Sequence, residues 1–289
     1  MEYLLLCKHG AKVWTEEELP AGLIRERLPN HVGVMMDGNR RWAKYEEELI
    51  SLLGPDGSFS KLNLVTELCC KWGIKVLTAF IFSTQNWIRP QHEVDFYMKA
   101  IELCFLSIKD VYLKSNVRVS VIGDLLKVPI SLQNVMTEII EMTKNNTGLH
   151  LNIGLNYGGR EDIIRACTSI SRRVKNNLIE PEEIDAKMFD QELETKSIEF
   201  PHPDLIIRTS GEKRISNFLL WQLAYSELHF EDCLWPDFGE KEFIKALRSF
   251  QERRRRFGGD SEEGLGEELY KQAIASMNEY GKQLLSSSN

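Results

Sequence analysis

Four short segments carry residue types that can do chemistry together. "HVGVMMDGNRRWAK" (31–44) runs from an apolar stretch into Asp37, Gly38, Asn39, Arg40 and Arg41. "FSTQNWIRP" (82–90) supplies Ser83, Thr84, Asn86 and Arg89, and "NYGGRED" (156–162) sets a glycine pair beside an arginine. "RTSGEKRIS" (208–216) places Arg208, Ser210, Arg214 and Ser216 around a glycine. Each has a bland reading alone: Asp-Gly-Asn is an ordinary turn, and the last segment a solvated loop. Together they suit a diphosphate. Arginines give bidentate contacts, glycines free backbone N–H groups, and one acid can hold a divalent cation.

The elements that must position these segments are legible as alternating patterns. Strands are predicted at 31–36, 74–83, 117–124, 149–157 and 203–210. Between them, helical spacing appears at 60–73 (Leu64, Leu68 and Trp72 on one face, Gly73 as the stop). It recurs at 93–115, where Val94, Tyr97, Met98, Ile101, Phe105, Ile108 and Tyr112 share one stripe, and at 131–145 and 160–177. Residues 216–228 also read as helical. Strand–helix alternation argues for an α/β fold on a mainly parallel sheet, and no linker or repeat divides the chain. The tail from Asp260 is expected to fray or to pack as a loosely attached helix. In such folds ligands collect beyond the carboxyl ends of strands, and all four segments follow a predicted strand.

Composition removes several classes. The chain has 289 residues and a formal charge of −7, so bulk electrostatics favours neither nucleic acid nor an anionic membrane. No run of about 18 apolar residues exists, so no transmembrane segment is expected. The cysteines (Cys7, Cys69, Cys70, Cys104, Cys167, Cys233) form no C-x-x-C pair and read as reduced, buried thiols of a cytosol-like compartment. The amino terminus is too short in its apolar part for a signal peptide and too poor in Arg and Ser for a transit peptide. His31, His150 and His229 lack metal spacing and read as structural. No P-loop, dinucleotide fingerprint or H-E-x-x-H is present.

Taken in order, "HVGVMMDGNRRWAK", "FSTQNWIRPQHEV", "LNIGLNYGGREDI", "PDLIIRTSGEKRISNFLLWQLAYSELHF" and "LWPDF" resemble the cis-prenyltransferases, the undecaprenyl, dehydrodolichyl and short-chain Z-polyprenyl diphosphate synthases. The likeness spans residues 28–259, leaving an amino-terminal extension (1–27) and a carboxyl-terminal tail (260–289). Connecting stretches such as "RVSVIGD" and "NLIEPEEID" look most like plant plastid-type members. The resemblance implies a single α/β domain with a central, mostly parallel six-stranded sheet flanked by helices, usually dimeric. It implies Mg²⁺ and condensation of an allylic diphosphate (dimethylallyl diphosphate) with isopentenyl diphosphate. By the same resemblance Asp37 holds Mg²⁺, Gly38, Asn39, Arg40 and Arg41 cradle the allylic diphosphate, and Trp42, Ser83 and Arg89 are further substrate-binding residues. Asn86 assists proton removal beside Ser83, while Arg208, Arg214 and Ser216 grip isopentenyl diphosphate. Glu227 is the second metal-associated acid, and Arg256 and Gly258 reach across the dimer, which is homomeric or heteromeric. The compartment implied is the plastid stroma for a plant protein that has shed its transit peptide, and otherwise the cytoplasm.

Two departures shape the expected chemistry. Where the family continues with a basic segment and G-H-x-x-G, this chain has Glu46, Glu47, Glu48, apolar Ile50 and, after Gly54, Pro55. Two anion contacts are thereby missing, each worth about 1.5–3 kcal/mol. Ile81 and Gln85 stand where the family has Ala and Glu. Added bulk at Ile81 narrows an apolar channel and points to a short product of the neryl or Z,Z-farnesyl type. Irregular coupling of two dimethylallyl diphosphates (lavandulyl type) and a catalytically impaired partner subunit are the alternatives. The 93–115 stripe is either a wall of that channel or plain core.

Overall fold

Runs of Val, Ile, Leu and aromatic residues form strands that pair only with parallel neighbours, as buried α/β sheets require. The computed structural model describes residues 13–45, 54, 56–253 and 266–286. In chain order its regular elements begin with β1 (His31–Met35), α1 (Asn39–Tyr45), α2 (Ser58–Trp72), β2 (Val76–Ser83) and α3 (Gln91–Lys114). β3 (Arg118–Ile122), α4 (Ile130–Thr143), β4 (His150–Tyr157) and α5 (Gly159–Lys175) follow. The chain continues through α6 (Ala186–Asp190), β5 (Leu205–Arg208), β6 (Glu227–Phe230), α7 (Glu240–Gln251) and α8 (Glu267–Ser286). The six strands form one all-parallel sheet in the order β3-β4-β2-β1-β5-β6. The α/β expectation and the five strand positions hold.

Helix α2 ends where expected, because Gly73 adopts the left-handed conformation (φ 79°) and its N–H caps Cys69 O. The stripe of α3 is core: Val94, Met98, Ile101, Phe105, Ile108 and Tyr112 are buried, and only Tyr97 of that set faces a cavity. Helix α7, not anticipated from sequence, buries Phe243, Ala246 and Leu247 and stacks Phe243 on Trp72 of α2 at 5.6 Å. Ahead of β1, Trp14 and Leu23 join the same core, and the Trp14 N–H donates to Ser115 Oγ at 2.9 Å. Cys69 is buried and its thiol is pushed up by desolvation. Cys167 departs from the expectation of buried thiols and is exposed on α5.

The helix expected at 216–228 does not form. Residues 217–225 are successive turns, and Glu227–Phe230 is instead the edge strand β6. Ser216 (φ 43°), Asn217 (φ 63°) and Leu219 (φ 44°) are left-handed, which a right-handed helix excludes. Tertiary burial of Phe218 and Leu219, each 0% exposed, overrides the local helical period. The chain divides after Glu252, and α8 belongs to the second unit, with Tyr270, Ile274, Met277 and Tyr280 exposed along it.

A polar chain crosses the sheet toward the strands' amino ends. His31 Nδ1 donates to Phe200 O (2.7 Å), and Thr78 Oγ1 donates to His31 Nε2 (2.7 Å). Asn152 Nδ2 donates to Thr78 Oγ1, Ser120 Oγ donates to Asn152 Oδ1, and His150 Nε2 contacts Ser120 Oγ at 2.8 Å. This pattern needs a neutral His31, which agrees with desolvation by burial lowering its pKa to about 3. The folded pKa lies below the unfolded one, so between those values the unfolded chain binds the extra proton and stability falls with pH. By about pH 5 the loss from this group reaches about 2 kcal/mol. The melting temperature of the wild type should drop several degrees between neutral pH and that point. His31→Gln should flatten the slope; an equal slope in both proteins would show that His31 is not the titrating group.

Candidate active site

The site is built where β1 and β5, hydrogen-bonded neighbours with Met35 opposite Arg208, reach their carboxyl ends. Leaving β1, the chain is pinned by backbone contacts: Thr209 Oγ1 donates to Asp37 O (2.7 Å) and the Trp235 N–H to the same carbonyl (3.0 Å). Gly38 then takes φ 109°, and a Cβ there would lie 2.9 Å from Leu234 Cδ2, so only glycine turns the chain into α1 at this point. The Gly38 N–H donates to Asp37 Oδ1 (2.7 Å), and Arg208 Nη2 donates to Asp37 Oδ2 (2.7 Å). Arg208 is 4% exposed and also donates to Ser216 Oγ (2.7 Å) and to the Arg214 carbonyl. Partial burial pulls the Asp37 carboxyl upward, but the hydrogen bond and charge of Arg208 outweigh it and hold the group below the usual carboxylate range.

These residues open into a cavity of about 1070 Å³. Its lining includes Asp37, Gly38, Asn39, Arg40, Arg41, Ser83, Asn86, Arg89, Arg208, Arg214 and Ser216, with Arg160 from beyond β4, so four strand ends do converge. Asn86 is oriented by the Ser83 N–H, which donates to its Oδ1 at 2.9 Å. The loop carrying it is anchored next door, where Trp87 Nε1 donates to Asn156 Oδ1 and Asn156 Nδ2 to Asp124 O. Arg89 lies over the Tyr97 ring at 5.4 Å and pairs with Glu93, as does Arg40. On the other flank Arg41 and Arg214 both pair with Glu212.

Sequence reasoning missed part of this wall. Lys44, Arg160 and Glu212 also line the cavity. All three stood inside the quoted motifs, but only the packing shows which side of a turn or helix they occupy. Seven basic side chains face the two carboxylates of Asp37 and Glu212, a local excess that calls for a polyanion although the whole chain is acidic. The apolar wall is Met35, Met36, Phe80, Ile81, Phe82, Tyr97 and Leu220. Consecutive residues of β2 share it because the β2–β4 register slips between Phe80 and Phe82, and this bulge turns Ile81 into the cavity.

Two expected residues lie elsewhere. Trp42, about 100° around α1 from Arg41, donates its indole N–H to Asp237 (3.0 Å) and does not line the cavity. Glu227 opens β6 opposite Leu205, at the amino end of the sheet, while Arg208 pairs with Phe230. Three residues of strand, about 10 Å, separate those levels, so within one chain Glu227 does not share an ion with Asp37. Arg256 and Gly258 lie outside the described residues, as do Glu46, Glu47, Glu48, Ile50 and Pro55.

A divalent cation fits the remaining donors. Among the described residues no three His, Cys, Asp or Glu side chains form a metal cluster. Asp37 is half-buried at the cavity, and the buried Asn39 Oδ1 beside it has no hydrogen-bond partner. One carboxylate plus neutral oxygens is a poor calcium or zinc cage but suits magnesium, which takes its other ligands from phosphate and water.

A sequence model of the family described as "Putative undecaprenyl diphosphate synthase" matches residues 35–258. The chain belongs to that prenyltransferase family. This prenyltransferase is 53% identical over 244 residues to dehydrodolichyl diphosphate synthase 2 of Arabidopsis thaliana, covering 84% of this chain and 78% of that protein. It is 50% identical over 238 residues to the chloroplastic (2Z,6Z)-farnesyl diphosphate synthase CPT6 of Solanum lycopersicum, covering 81% and 80%. Among solved structures it resembles lavandulyl diphosphate synthase from Lavandula x intermedia in complex with dimethylallyl diphosphate. There the TM-score is 0.77 at 37% identity, over 81% of this chain and 99% of that one.

The Asp37–Arg208 pair makes a checkable statement about this prenyltransferase. In Arg208→Met the two largest lowering influences, its hydrogen bond and its charge, are removed while burial and the smaller Ser210 and Gly38 hydrogen bonds remain, so the Asp37 pKa rises. The acid limb of the activity–pH profile should therefore move to higher pH than in the wild type. An unmoved limb would mean that Arg208 does not set the ionisation of Asp37.

Proposed function

We propose that the chain is a cis-prenyl diphosphate synthase that condenses dimethylallyl diphosphate with isopentenyl diphosphate into a short Z-prenyl diphosphate. The observation that carries this is the direct contact of Asp37 with Arg208, which joins two arginine groups at one cavity. Arg40, Arg41 and Arg89 hold the allylic diphosphate, and Arg208, Arg214 and Ser216 hold the second one. Magnesium, when bound, neutralises charge developing on the departing diphosphate. Asp37 and Asn39 are the residues that would hold it. The arginines stand preorganised where that charge appears, which lowers the barrier without reorganisation.

In the coupling the allylic C–O bond breaks, a C–C bond forms between the two substrates, and one proton leaves as the new double bond closes. Asn86 is a neutral amide and cannot keep that proton. Its role is to orient the proton's path to a diphosphate oxygen, a task suited to a side chain fixed by the Ser83 N–H. The apolar wall excludes water from the reacting carbons. A plastid location accords with the chloroplastic relatives, and among the described residues no helix is long and apolar enough to cross a membrane.

The bulged Ile81 and its aromatic neighbours shorten the apolar side of the cavity, which favours a product of about two to four isoprene units. Mass spectrometry of the dephosphorylated products checks this. A dominant chain of about ten or more units would overturn the assignment, and Ile81→Ala should lengthen the product. The likeness to lavandulyl diphosphate synthase keeps irregular coupling as the second reading.

Incubation with Mg²⁺ and dimethylallyl diphosphate, with and without isopentenyl diphosphate, separates the two. Product that needs both substrates supports regular condensation, and product from the allylic substrate alone supports irregular coupling. Inactivity relieved only by a homologous subunit would make the chain a supporting partner. Asp37→Ala should lose nearly all turnover and also lower the melting temperature, because it leaves the buried Arg208 without its carboxylate. Asp37→Asn, which keeps an oxygen for Arg208, should lose turnover with a smaller drop in melting temperature.

A further inference from the structure

Two carboxylates stand among the arginines assigned to substrate, and neither has a step in the coupling. Glu93 Oε1 lies 3.3 Å from Arg40 Nε and 3.2 Å from Arg89 Nη1. Glu93 is 13% exposed and belongs to the body of α3. Glu212 differs. It sits on a turn after β5, is 35% exposed, and lines the cavity itself. Its Oε1 is 3.9 Å from Arg41 Nη2, and its Oε2 pairs with Arg214 Nη1. One carboxylate thus turns its two oxygens to two guanidiniums delivered by different strand ends. A diphosphate presents the same pattern of anionic oxygens to arginine forks.

We propose that Glu212 is a surrogate anion, a carboxylate that occupies the guanidiniums of Arg41 and Arg214 until a pyrophosphate group displaces it. The inference rests on reading the cavity as a pyrophosphate site. The physical need is plain. Guanidiniums converging on one cavity repel one another, and a tethered carboxylate holds them in place at no translational cost. Arg41 also donates to Ser210 O at 3.3 Å, so it keeps its aim when the carboxylate leaves. Exposure of Glu212 allows it to swing aside toward water. The same competition weakens the hold on the released pyrophosphate, which makes Glu212 a determinant of product release rather than of bond making.

The test is calorimetric titration of inorganic pyrophosphate into the full chain at low ionic strength. It compares wild type, Glu212→Gln and Glu138→Gln, the last removing a remote charge that pairs with Lys109. Glu212→Gln keeps the side-chain shape and should bind pyrophosphate about tenfold more tightly, the factor that about 1.4 kcal/mol gives. Inhibition of coupling by added pyrophosphate should strengthen by a similar factor, and Glu138→Gln should match the wild type. Unchanged or weaker binding by Glu212→Gln would overturn the proposal and make the carboxylate a mere organiser of the arginines. Equal tightening in both variants would overturn it in favour of a long-range charge effect. A wild type that shows no pyrophosphate binding would instead remove the pyrophosphate reading of the cavity, and this proposal with it.

Discussion

A guanidinium sealed from water must be surrounded by anions and carbonyls, because an unpaired buried charge is far too costly to keep. Arg208 meets that demand with Asp37, Ser216 and the Arg214 carbonyl. Satisfying one side chain therefore ties the end of β1 to both limbs of the turn after β5. The other features of the cavity hang from this knot. It sets the ionisation of Asp37, aims Ser216, and places the Arg214 backbone, so that the Arg214 side chain faces Arg41 across Glu212.

The knot imposes backbone conformations that local preference resists. Ser210, Ser216, Asn217 and Leu219 all have positive φ, each a cost of order 1 kcal/mol or more for a residue with a side chain. What offsets it is burial: Phe218 stacks on Phe80 at 4.5 Å and meets Tyr157 edge-on at 6.4 Å. Asn217 supports the neighbouring motif as well, since its backbone and side-chain oxygens accept from the N–H groups of Gly159 and Arg160. The aromatic packing beneath the cavity and the irregular loop above it are thus one construction. It links "YGGR" to "RTSGEKRIS" through space.

The two ends of the sheet illustrate opposite solutions to polar burial. Toward the amino ends, His31, Thr78, Asn152, Ser120 and His150 pair donor to acceptor and remain neutral, so the chain is dry and self-contained. At the carboxyl ends the charges are numerous, half-exposed and unevenly matched, with Asn39 Oδ1 and Arg208 Nε lacking partners. A fully satisfied network rigidifies a structure; an incompletely satisfied one is ready for a ligand.

The alternation of apolar runs with amphipathic ones determined the α/β class, the first five strands and most helices by itself, because burial on both faces leaves a continuous apolar imprint on a parallel strand. The motif residues also announced the polyanion chemistry, since arginine, glycine and a lone acid after strands have few other uses together. Tertiary structure alone decided the rest. It turned 216–228 from a helical pattern into turns and a strand, moved Glu227 to the far end of the sheet, and turned Trp42 away from the cavity. It also brought Arg160, Lys44 and Glu212 to the wall and bulged Ile81 into it. The physical reason is common to these cases. Residue type and period report how a segment meets its own neighbours, whereas the direction of a side chain at a strand end depends on the partners that packing brings against it.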